Sequence, residues 1–364
     1  MPRLVLHAGD CKSGSTAIQS VLQLGSYRFT GDDAPRLHYA QGGRRDGLNH
    51  HRLSNSVHQT DALAHRDRAW GRFGQEFAQS GADVVVLSSE RFEFAPPQAV
   101  RAALEQFAPA ALEALSVVIY VRPHAARLLS GYAQNVRQGL FLGDLAEFLE
   151  EMSTEGRFHY AARLAAWRET FGEALTVRPM IRDRLTGGCA VQDFLGLCAA
   201  GTGAVPLVEK IPNENRSLNP EGLAFMRAFR ATLRERNPAP NKQRAAILQR
   251  LGGQLEAMPS FSEGRVGIPA ALAGKVRAAF AEDAARCDAE VFGEAVMTPA
   301  LERALETPGA EMPALDSPEV ARLRDLSLAW IDMMGRMQSQ MARQQRGGQG
   351  QGQNQGRPGG GARP

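Results

Sequence analysis

Residues 4–16 read Leu4-Val5-Leu6-His7-Ala8-Gly9-Asp10-Cys11-Lys12-Ser13-Gly14-Ser15-Thr16. A short apolar run passes into a loop punctuated by two glycines. Hydroxyl residues then open an amphipathic segment over 15–24. A strand ending in a glycine-containing loop at a helix start turns several backbone N–H groups toward one point. The helix dipole favours an anion there. Lys12 and the hydroxyls of Ser13, Ser15 and Thr16 add donors. The plainer reading of the same residues is a helix N-cap with glycine for the turn.

Further apolar, β-rich runs follow at Asp83–Leu87 and Ser116–Val121, with a weaker one at Leu175–Arg178. Amphipathic helical patterns separate them, at 60–79, 98–106, 124–138 and 160–171. Short strands that are apolar throughout and alternate with helices predict an α/β fold, its parallel sheet covered on both faces. Ligand sites in such sheets collect at the carboxyl ends of the strands. Beyond about residue 205 the strand signals stop. Helices are expected at 221–235, 242–256, 270–296 and 317–343, and Gly/Gln-rich residues 344–364 read as a disordered tail.

The chain has 364 residues, 43% apolar and 22% charged, with net charge +3. The tail carries Arg346, Arg357 and Arg363 and no acid, which accounts for the whole excess. The body is therefore neutral, and this excludes nucleic-acid binding through bulk charge. No stretch reaches the length of a membrane span. The opening apolar run is too short for a signal peptide. The four cysteines lack metal or disulfide spacing, which places the expectation in the cytoplasm with reduced thiols. No metal site is expected. His50, His51, His58 and His65 lack the spacing of known ligand sets, and the last two suit a solvated helix face.

Compared with a mononucleotide-binding P-loop, the GxxxxG frame is present and Thr16 stands at the Mg²⁺-binding hydroxyl. The P-loop lysine position, however, is Ser15, and the lysine has moved to Lys12. In that form the loop resembles the 5′-phosphosulfate loop of the sulfotransferases that use 3′-phosphoadenosine 5′-phosphosulfate (PAPS). That loop runs lysine, hydroxyl residue, glycine and two more hydroxyl residues. A second element agrees: Val117-Val118-Ile119-Tyr120-Val121-Arg122-Pro123, then Ser130 eight residues after Arg122. In the family an arginine ending a central strand and a serine at this separation hold the 3′-phosphate. Physically, arginine offers a planar fork of donors and serine a neutral one. The resemblance extends through Leu87-Ser88-Ser89-Glu90 and through Tyr160, Trp167, Phe171-Gly172, Val177-Arg178-Pro179 and Asp193-Phe194-Leu195. It covers about residues 1–230 and is similar to bacterial members acting on sugars or small hydroxyl compounds. Eukaryotic cytosolic members place tryptophan where Ala17 stands, so adenine packing is unassigned.

The resemblance implies a P-loop-NTPase-like three-layer sandwich over 1–315, with helical C-terminal parts, a separate helix at 316–343 and the tail beyond. It implies a PAPS-dependent enzyme that needs no metal. Its acceptor would be a carbohydrate or small molecule carrying a hydroxyl or amine. Sulfuryl transfer needs a cation on the leaving phosphate oxygen, for which Lys12 is the candidate, and a general base. Family members use His or Glu as that base; here the candidates are His50, His51 and Glu90. Lys12, Ser13, Gly14, Ser15, Thr16, Arg122 and Ser130 are the expected donor-binding residues. Two alternatives stay open. One is an ATP–Mg²⁺ kinase with Glu90 as its acidic residue. The other is an inactive nucleotide-binding scaffold using Met333, Met334, Met337 and Met341 as a partner face. On packing grounds that methionine stripe reads instead as the buried side of its helix. The C-terminal helices also offer a route to an oligomer.

Overall fold

The computed structural model describes residues 1–42, 47–211, 217–237, 242–264, 266–307 and 309–351. Among the described residues seven strands form: β1 (Arg3–His7), β2 (Tyr27–Thr30), β3 (Leu37–Tyr39), β4 (Val84–Ser88), β5 (Leu115–Val121), β6 (Leu175–Pro179) and β7 (Val205–Val208). Five of them make a parallel sheet in the order β3-β4-β1-β5-β6, with β1 at the centre. β4 and β5 flank it, so His7 stands beside Ser88 on one side and Val118 on the other.

Alternation along the strands explains why both faces are covered. Val5, Val84, Val86, Val118 and Tyr120 pack with Ile18, Val21 and Leu22 of the helix Ser15–Leu24 and with Val191, Phe194 and Leu195 of the helix Ala190–Cys198. The intervening residues Leu4, Leu6, Val85, Leu87, Ile119 and Val121 are also buried. Their side of the sheet belongs to the helices Arg66–Gln79, Pro97–Phe107 and Ala161–Phe171, which touch one another in sequence and bury Trp70, Phe73, Leu104 and Trp167. With both faces dry, each central strand has to be apolar throughout. This is the α/β sandwich expected from the sequence.

Several details differ from the expectation. Two strands that no apolar run announced, β2 and β7, pair antiparallel in a separate two-stranded sheet, so strand structure extends to Val208. The helix expected over 270–296 ends at Cys287, where a single π-turn, Asp288–Phe292, follows. The Asp288 carboxylate then accepts the N–H groups of Val296, Met297 and Thr298, starting a new helix, Met297–Glu306. A further helix, Leu145–Glu155, opens with a capping box in which Asp144 and Glu147 satisfy each other's backbone N–H groups. The last helix, Pro318–Gln351, runs beyond Gln344; residues 352–364, on which the rest of the tail expectation falls, lie outside the described residues.

The chain divides into two compact units that are not consecutive in sequence. The first comprises 1–134, 143–217 and 266–311 and contains the sheet. The second gathers 135–142, 218–265 and the chain from Met312, so the division does not fall at a single point near 315. Within the second unit, Ala224 and Ala228 of the helix Pro220–Arg236 pack on Val320. Met333, Met334 and Met337 are 38–48% exposed, so these three do not lie on the buried side of their helix, whereas Val320 and Leu328 do; the Met341 side chain lies outside what is described. Among the described residues no helix is long and apolar enough to cross a membrane.

Candidate functional site

Beyond β1 the chain keeps following β5: Ala8 N–H donates to Val118 O and Asp10 N–H to Tyr120 O. It then turns sharply. Lys12 has φ 68° and Gly14 φ 83°; among the described residues Lys12 is the only non-glycine in the left-handed region. That conformation costs a lysine about 1–3 kcal/mol, and such strain persists where surroundings impose it. The Ser13 N–H and hydroxyl both donate to Asp10 O. Ser13 therefore braces the turn instead of offering its hydroxyl outward.

The helix begins at Ser15, and its geometry leaves the amides of Gly14, Ser15 and Thr16 without intrahelical acceptors. The Ser15 hydroxyl is buried and has no hydrogen-bond partner among the described residues. Gly9 closes the cradle from the other side: a Cβ there would stand 2.5 Å from His7 Nε2 and 3.1 Å from Ser15 Oγ. Converging amides, an orphaned hydroxyl and the exposed Lys12 fit an anionic group such as a phosphosulfate.

Arg122 follows directly on β5, so it leaves the sheet from the strand next to β1 at the same carboxyl edge. Its carbonyl accepts from the Tyr160 hydroxyl at 2.9 Å. Ser130 lies two turns into the helix His124–Gln138. Both side chains are half-buried.

The adjacent histidines have different environments. His50 is fully buried: Nε2 donates to Ala40 O at 2.8 Å, and Nδ1 accepts from Ser88 N–H at 3.0 Å. The sequence places His50 and His51 level as bases. The structure corrects this, because both ring nitrogens of His50 are spent on backbone groups, one at the end of β4 and the other just past β3. His51 is partly open to solvent, with Nδ1 2.9 Å from Ser89 Oγ and Nε2 3.3 Å from Glu90 Oε1. Glu90 Oε2 accepts from the Gln19 amide at 3.0 Å. Burial would raise the Glu90 carboxyl, but the hydrogen bond and charge of His51 and the bond from Gln19 outweigh it and hold it at about 2. His51 and Glu90 thus form one dyad at the carboxyl end of β4.

A buried ionic cluster beside the loop escaped sequence reasoning. Arg127 Nη2 donates to both Glu93 oxygens at 2.8 and 3.0 Å, and Glu93 Oε2 also accepts the Cys11 N–H at 3.0 Å. Asp10 Oδ2 accepts from Arg163 Nη2 at 2.7 Å. Burial pushes the Asp10 carboxyl up to about 6 despite Arg163. For Glu93 burial acts in the same direction, but the Arg127 and Arg163 charges and the Cys11 amide prevail and lower it. Among the described residues no group of three or more His, Cys, Asp or Glu side chains is placed to share a metal ion.

No family model matches the chain, and no curated protein does. Among solved structures the chain is similar to a sulfotransferase from Alicyclobacillus acidocaldarius. The TM-score is 0.45 at 14% identity, over 83% of this chain and 99% of that one. A likeness this loose carries no functional weight, which rests on the residues themselves.

Proposed function

We propose that the chain is a sulfotransferase that moves a sulfuryl group from PAPS to a hydroxyl or amine of a carbohydrate or small metabolite. One observation carries the reading. The helix whose first turn forms the anion loop also bears Gln19, which is bonded to the carboxylate of the His51–Glu90 dyad. An anion cradle and a proton-accepting pair are therefore parts of a single hydrogen-bonded unit.

When bound, PAPS supplies an activated sulfuryl group with a good leaving phosphate. The chain's own residues do the rest. The amides of Gly14, Ser15 and Thr16, with the Ser15 hydroxyl, hold the phosphosulfate, and Lys12 sets a cation at the oxygen that gains charge. Arg122 and Ser130 hold the 3′-phosphate. His51 faces Ser89 Oγ through Nδ1 and Glu90 Oε1 through Nε2. A proton taken from the acceptor by this dyad is held between His51 Nε2 and the Glu90 carboxylate as an ion pair. As an ATP–Mg²⁺ kinase the chain would need a lysine at position 15, which is a buried serine. It would also need a free acid at Glu90, which is committed to Gln19 and His51.

The test is incubation with labelled PAPS and a panel of sugars, small alcohols and amines, with product detection by mass spectrometry. The expected result is sulfated product that depends on Lys12 and His51. Consumption of ATP–Mg²⁺ with phosphorylated product would overturn the reading.

A further inference from the structure

Gln19 lies in the helix Ser15–Leu24, one turn beyond Ser15, and is 1% exposed. Its amide nitrogen donates to Ser88 Oγ at 3.1 Å and to Glu90 Oε2 at 3.0 Å, so both of its protons are spent. Ser88 Oγ, accepting from Gln19, meets His7 Nδ1 at 2.8 Å, where its own proton goes. The two Glu90 oxygens are thereby divided: Oε2 is tied to the helix and Oε1 is left for His51 at 3.3 Å. The glutamine amide, with two protons on one nitrogen, satisfies both acceptors without adding a charge. Glutamate would set a second carboxylate against Glu90, and methionine would take the amide donor from the buried Ser88 hydroxyl and the part-buried Glu90 Oε2.

We infer that Gln19 is a positioning residue, which locks the Glu90 carboxylate so that its free oxygen faces His51 and ties that orientation to the helix of the anion loop. This rests on the sulfotransferase reading, because the dyad is catalytic only there. Gln19 touches neither donor nor acceptor in this account; it acts through Glu90.

The experiment compares the full-length wild type with Q19M and Q19E, both close to glutamine in volume. Two quantities are read: adenosine 3′,5′-bisphosphate binding by calorimetry, and the ¹⁵N resonances of the His51 ring at pH 7, which report where its proton sits. Bisphosphate affinity should stay within about twofold in both variants, since the loop itself is untouched. The His51 ring resonances should move in both, and turnover of an acceptor found in the panel should drop ~10–100-fold through kcat. Folded variants whose His51 resonances match the wild type would sink the role given to Gln19. A wild type that does not bind the bisphosphate would sink the sulfotransferase reading instead, so the two failures are separable.

Discussion

His51 Nε2 stands 3.3 Å from Glu90 Oε1, whereas the neighbouring His50 has both nitrogens on backbone groups of Ala40 and Ser88. The two residues should therefore fail in different ways. His51→Ala should cut turnover by ~10²–10⁴-fold with stability kept within about 1 kcal/mol. His50→Ala strands a buried carbonyl and a buried N–H and should lose roughly 2–4 kcal/mol in urea unfolding. Equal losses of stability in the two variants would contradict this division.

The Glu93–Arg127 pair is almost wholly removed from water and holds the Cys11 amide of the loop. Arg127→Met leaves the carboxylate buried without its partner and should cost ~3–5 kcal/mol. Adding Glu93→Gln should recover part of that loss. Denaturant midpoints of the single and double variants decide it: a single variant as stable as the wild type would show that the pair is not coupled.

Gly9 is fixed by the space around it. The added methyl of Gly9→Ala would stand 2.5 Å from His7 Nε2, so strand and loop have to part. The expected cost is about 1–3 kcal/mol with weakened bisphosphate binding. Gly81→Ala, which meets nothing within 4 Å, is the control.

Acid sensitivity has a defined sign. Burial lowers the His7 ring to about 4, against a smaller opposing pull from Glu90. Between that value and the ordinary ~6.5 the unfolded chain binds a proton that the folded chain does not. The His7 contribution is thus complete above about pH 6.5 and is lost as the pH falls toward 4. Asp10, raised to about 6, works the other way over part of the same window. Comparison with His7→Gln isolates the histidine: wild-type stability should fall more steeply than that of the variant between pH 6.5 and 4. Parallel curves would refute it.

The central strands were legible because β1, β4 and β5 are dry on both faces and so appear as unbroken apolar runs. β3 and β7 gave no such signal. Leu37-His38-Tyr39 is three residues at an edge, and Val205-Pro206-Leu207-Val208 contains a proline with Val205 half exposed. The anion loop was readable because glycine and hydroxyl spacing is local. The choice between His50 and His51 was not, since adjacent residues point apart and only the packing on β4 decides which one is buried. Arg127 meets Glu93 across 34 residues and Arg163 meets Asp10 across 153, and no local pattern marks such pairs. The capping box at Asp144 and Glu147, by contrast, is a local signal that stands in the sequence itself.

The most direct test of the account is calorimetry of the full chain with adenosine 3′,5′-bisphosphate and, separately, with ATP plus Mg²⁺. The account predicts tight bisphosphate binding that needs no metal and is lost in Arg122→Ala. Preference for ATP–Mg²⁺, or bisphosphate binding indifferent to Arg122, would contradict it.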